Sequence, residues 1–123
     1  MNNTIYQAIF NKLQEYLPAN WDEVVFYAAY TEGSYSMKYY VKKGTEITSC
    51  FNLMNVSKAQ LVKLFMSIDR ELVAERKSLP TKDLWSVMTM VIGADGNMKT
   101  HYDFTNICEN SISFEKAWED KYL

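Results

Sequence analysis

The order of hydropathy patterns along the chain predicts an α+β fold. It is a two-layer domain in which an antiparallel sheet of about five strands carries helices on one face. Three observations lead there: two long segments place apolar residues at helical spacing, five segments are strand-like, and the breaks between neighbouring strands are short enough to return the chain antiparallel. The predicted order is helix, three strands, helix, two strands, short C-terminal helix. A length of 123 residues with 48% hydrophobic content suits one domain, 1–123, around a single core. Four Gly and two Pro leave little material for linkers.

The first helix rests on Tyr6, Ile9, Phe10, Leu13, Tyr16 and Leu17, which fall on one helical face. Thr4 and Gln7 have capping-box spacing, and Pro18 stops the run near residue 17. Val24 to Tyr30 is rich in branched and aromatic residues, and Thr31-Glu32-Gly33-Ser34 supplies the turn into Tyr35 to Lys43. In that second strand Tyr35, Met37, Tyr39 and Val41 alternate with Ser36, Lys38, Tyr40 and Lys42, one set facing the core and the other water. A third strand, Glu46 to Asn52, follows the break at Lys43-Gly44-Thr45.

Ser57 with Gln60 repeats the capping-box spacing ahead of Leu61, Leu64, Phe65, Ile68 and Leu72, so the second helix covers roughly 58–78, before Pro80. Trp85 to Ile92 alternates loosely. The Asp-Gly pair within Ala94-Asp95-Gly96-Asn97 then turns the chain into Met98, Thr100, Tyr102 and Phe104, a second hairpin. In the polar remainder Phe114, Trp118 and Tyr122 sit at i, i+4 and i+8, as on one face of a terminal helix.

Several functions are disfavoured by composition and motif. A formal charge of −2 gives no global basic field for coating duplex nucleic acid. The N-terminal residues lack a signal-peptide pattern and no stretch is apolar enough to span a bilayer, which points to a soluble, cytoplasmic protein. Cys50 and Cys108 are distant and without His at ligand spacing, so the expectation is reduced thiols, no metal and no cofactor. Neither a dinucleotide nor a phosphate-binding glycine motif occurs. His101, the only histidine, shares a strand face with Lys99 and Asp103, which reads as a solvated face rather than a tuned base. The pairs Asp22-Glu23 and Glu119-Asp120 read as solvated charge, and Lys38, Lys42 and Lys43 among Tyr35, Tyr39 and Tyr40 as a strand with its aromatics turned inward. No nucleophile, base and orienting group assemble, so the chain is not read as an enzyme.

What remains is surface. Residues 84–123 carry a net −3, residues 35–83 a net +4 and residues 1–34 a net −3, which suggests a polarised molecule. An acidic, aromatic-bearing surface suits a partner with a basic cleft, because charge speeds encounter and buried aromatics supply energy. On that reading Trp118 and Tyr122 are anchors, and Asp103, Glu115, Glu119 and Asp120 are steering charges. Alternatively Trp118, Tyr122 and Leu123 tether the tail to the core. A rival function is a small-ligand or regulatory binding module, in which the Tyr-rich sheet with Met37, Met88 and Met90 lines an apolar pocket.

Several pieces in one order resemble the YezG-like immunity (antitoxin) protein family. They are Ile5-Tyr6-Gln7, Leu17-Pro18-Ala19-Asn20-Trp21, the Tyr-rich strand, Val56-Ser57-Lys58, the Trp85 strand, Asp95-Gly96-Asn97-Met98-Lys99 leading into Tyr102-Asp103-Phe104, and the ending Trp118-Glu119-Asp120-Lys121-Tyr122-Leu123. The resemblance implies a small cytoplasmic, non-catalytic protein that binds and neutralises a cognate secreted toxin, often a nuclease, in competition between bacteria. The segment from Thr105 to Glu115 departs from the family pattern, which commonly has a Pro and an Arg ahead of the terminal Trp.

Overall fold

The protein is described by a computed structural model over residues 3–31, 34–54, 56–104 and 111–123. Helix α1 (Asn3–Gln14) precedes strands β1 (Glu23–Thr31), β2 (Ser34–Lys43) and β3 (Glu46–Ser49). Helix α2 (Lys58–Lys77), strands β4 (Val87–Gly93) and β5 (Met98–Asp103), and helix α3 (Ser111–Tyr122) follow. The strands form one antiparallel sheet in the order β3-β2-β1-β4-β5. Fold class, strand number and element order therefore agree with the sequence prediction.

The placement of helices on one face holds for α1 and α2 only. Val24, Phe26 and Ala28 of β1 pack with Ile9 and Leu13 of α1 and with Leu61, Phe65 and Ile68 of α2, while Val25, Tyr27 and Ala29 pack with Trp118 of α3 on the opposite face. The molecule thus has three layers. The physical reason lies in β1: six successive apolar residues, 24–29, are buried, and a strand with a helix on one side alone could hide only every other one. In the same way the "water" face of β2 is not in water where α3 crosses it, since Lys38 is only 9% exposed.

Local signals decide the boundaries. At α2 the capping box forms as its spacing predicts, Gln60 N–H donating to Ser57 Oγ and Ser57 N–H to Gln60 Oε1. At α1 it does not: Thr4 lies inside the helix and the Gln7 amide donates to Asn11 Oδ1 instead. That helix ends at Gln14, ahead of the predicted 17, in a tighter turn closed by Tyr16 N–H to Leu13 C=O. Strand β3 stops at Ser49, whose hydroxyl accepts from Phe51 N–H and starts a 3-10 turn at Cys50–Asn52. Trp85 precedes β4 rather than opening it. The second hairpin turns through Gly93–Asn97, with Gly96 at φ 93°, where a side chain would be strained, and with Asp95 Oδ1 accepting from Asn97 N–H. The tip of the first hairpin at Glu32 and Gly33, together with Cys108 and the segment 105–110 where the family pattern is broken, lies outside the described residues.

Candidate functional site

Helix α3 and the sheet face beneath it gather most of the residues the sequence singles out. Trp118 is 5% exposed and turns its indole onto the sheet, edge-on to Tyr27 at 4.9 Å between ring centroids. Its Nε1–H donates to Thr89 Oγ1 at 2.9 Å, satisfying a donor that would be costly to bury alone. Tyr40 and Tyr122 complete an aromatic wall around it, at 5.9 and 5.4 Å. Of the two readings for the terminal aromatics, the tether describes the position of Trp118.

Lys38 projects from β2 into this wall. Its ammonium lies 4.9 Å from the Tyr27 ring centroid, 5.2 Å from that of Trp118 and 5.7 Å from that of Tyr40. Glu115 and Glu119, one turn apart on α3, close over it at 3.6 and 3.7 Å. A buried cation is tolerable only when paired and surrounded by polarisable or polar groups, and here three ring faces and two carboxylates do that. Lys42 repeats the arrangement nearer the end of α3, its ammonium at 3.2 Å from Glu23 and donating to the Tyr122 carbonyl. The charge segregation read from the sequence is therefore partly cancelled in space, because Lys38 takes up Glu115 and Glu119 of the C-terminal third and Lys42 takes up Glu23 of the N-terminal segment. Asp120 remains exposed on α3.

Between α3 and β5 runs a groove of about 310 Å³ lined by Thr89, His101, Asp103, Phe114, Lys121 and Tyr122 among others. His101 is exposed and its ring lies 6.1 Å from that of Tyr122, while the Asp103 carbonyl accepts from both the backbone and the hydroxyl of Ser86. Tyr39, Met37, Met88 and Met90 are buried in the core under α1 and α2, so the pocket imagined for a small-ligand module is filled by protein. No helix among the described residues is long and apolar enough to cross a membrane.

Sequence reasoning missed Lys38, Lys42 and Tyr27 as partners of α3. The signal available was the alternation itself: Lys38 and Tyr40 share the face of β2 that the second apolar set of β1 also occupies.

Burial pushes the Tyr27 phenol well above its ordinary value, and the Glu115 carboxylate raises it further. Burial does the same at Tyr30, Tyr39 and Tyr102, with Asp69 adding to it at Tyr30 and Tyr6 at Tyr102. A phenol with a folded pKa above the unfolded value holds its proton more tightly in the folded state. The stability this represents is complete below about pH 10 and is lost as pH rises past it toward the folded value. In an ultraviolet titration these four tyrosines are expected to stay protonated past pH 10 and to ionise abruptly with alkaline unfolding; smooth titration of all nine near the free value would refute it.

Comparison with the curated proteins finds no match. A family model described as "Immunity protein YezG-like" matches residues 2–123, from before α1 to the last residue of the chain, so that all three layers and the α3 face fall within it. The chain belongs to the YezG-like immunity protein family.

Proposed function

We propose that the protein binds a cognate toxin one to one and neutralises it by occlusion, without catalysis, in the cytoplasm of the cell that makes it. Membership of an immunity protein family over residues 2–123 is the observation that carries this reading. A nuclease is the toxin class whose substrate-binding surface best complements acidic side chains. In this reading the contact surface is the outer side of α3 and the adjoining end of β5. Asp103, Glu115, Glu119 and Asp120 steer the encounter, Tyr122 contributes part of its ring at the groove, and Trp118 holds the helix that presents them.

Co-expression with the toxin domain encoded beside this chain's reading frame tests the function: rescue of growth, and a stoichiometry of one in calorimetry, are expected. If no adjoining toxin exists and no candidate is neutralised, the reading fails. Asp120→Lys is the cleaner probe of steering, because Glu119→Lys also releases Lys38. At low ionic strength Asp120→Lys is expected to slow association by roughly threefold or more, with the gap closing as salt is added. Unchanged association at every salt concentration would remove Asp120 from the encounter surface.

A further inference from the structure

We infer that the toxin docks by adding a strand of its own to the outer edge of β5, with its side chains dropping alternately into grooves on the two sides of the sheet. The inference rests on the toxin-binding reading above and deepens it.

The hairpin geometry says which backbone groups are available. Gly93 N–H donates to Asn97 C=O, which makes that pair a hydrogen-bonded one and places the next such pairs at Val91 with Lys99, Thr89 with His101 and Val87 with Asp103. Ser86 N–H donating to the Asp103 carbonyl agrees with this phase. The N–H and C=O groups of Met98, Thr100 and Tyr102 therefore point away from β4, along an edge of the sheet that no other strand pairs among the described residues. Such a row, bonded to water in the free protein, is a template on which another extended chain can pair. At the opposite edge β3 offers four residues against six in β5.

Among the described residues a groove flanks this edge on each face of the sheet. On the α3 side lies the groove of about 310 Å³ beside His101 and Asp103, and on the α1 side one of about 440 Å³ between Tyr6, Gln7, Met98 and Thr100. An added strand sends successive side chains to opposite faces, so one set would enter each groove. A residue opposite Lys99, which makes no ion pair among the described residues, is best a carboxylate. A second copy of this chain suits the site poorly, because its own β5 already carries α1 over one face and α3 over the other, and those helices would compete for the same grooves.

The test uses the full chain and the purified toxin domain that it neutralises. Hydrogen exchange is expected to show the Met98, Thr100 and Tyr102 amides fast in the free protein and protected in the complex, with Lys99 and His101 slow in both. Thr100→Pro removes one outward donor and leaves the β4 ladder in place, so it is expected to weaken binding at least about tenfold with little change in melting temperature. Thr100→Ala, which keeps the backbone donor, is expected to bind within about twofold of the parent. If the proline variant does not fold, the exchange pattern alone decides. A complex in which those three amides stay fast overturns the edge while leaving neutralisation intact, and protection appearing in the free protein with rising concentration assigns the edge to self-association and overturns it too. Failure of any toxin domain to bind the unaltered protein overturns the function, and this inference with it.

Discussion

Trp118→Ala is expected to destabilise the protein by about 3–5 kcal/mol, measured by urea denaturation. The substitution removes the largest side chain in the layer between α3 and the sheet, including its edge contact with Tyr27 and one of the three rings around Lys38. Val25, Tyr27 and Ala29 then lose their cover, and Lys38 is left with two carboxylates in a partly wetted site. The loss should be local before it is global. Amides of α3 are expected to exchange faster than those of α2, because α1 and α2 grip the other face through a separate cluster. Uniform acceleration across the chain would mean that the two faces do not open independently.

Trp85→Ala is the second large effect, again about 3–5 kcal/mol, and it acts on the opposite face. Trp85 is 2% exposed and sits between Tyr30 and Tyr102, with ring centroids 5.6 and 5.5 Å away. The Arg76 guanidinium of α2 lies 4.9 Å from its ring and 4.5 Å from that of Tyr30, and donates to the Trp85 carbonyl at 2.7 Å. Losing the indole therefore loosens α2 from both hairpins at once. Replacement by Phe separates the two tryptophans. The indole N–H of Trp118 is bonded to Thr89, whereas that of Trp85 is buried with no acceptor among the described residues. Trp118→Phe should therefore cost about 1–2 kcal/mol more than Trp85→Phe, since one change discards a made bond and the other an unsatisfied donor. Equal costs in matched denaturation curves would contradict that assignment.

The elements most easily read in the sequence were those specified by local chemistry. Ser57 and Gln60 announce the start of α2 because both halves of the capping box lie within one turn. Asp95 and Gly96 announce the second hairpin because its turn needs a left-handed residue and a side-chain acceptor. Thr4 and Gln7 carried the same spacing without the same outcome, since the helix begins at Asn3, two residues earlier than a Thr4 cap would set, and Gln7 finds Asn11. The stripe of Phe114, Trp118 and Tyr122 predicted an amphipathic helix correctly but could not say which surface it covers; periodicity records that a face is apolar, not what lies opposite. The missing half of that information was in β1, where Val24 to Ala29 is apolar without alternation and so demands cover on both sides. The candidate site was legible as a cluster of residues near the C-terminus. Its internal pairing was not, because Lys38 and Lys42 come from a strand far earlier in the chain and meet Glu115, Glu119 and the Tyr122 carbonyl only once the third layer closes.

The position of β1 at the centre of the sheet also sets the order in which this molecule can be assembled. Its pairing with β2 joins neighbours in sequence, and so does that of β4 with β5, but Glu23 meets Gly93 only after the whole of β2, β3 and α2 has been gathered in between. The entropy of closing that long loop must be met before the two hairpins become one sheet. Joining them is thus the natural slow step of folding, and substitutions along the seam between β1 and β4 should slow refolding more than those at the outer strands.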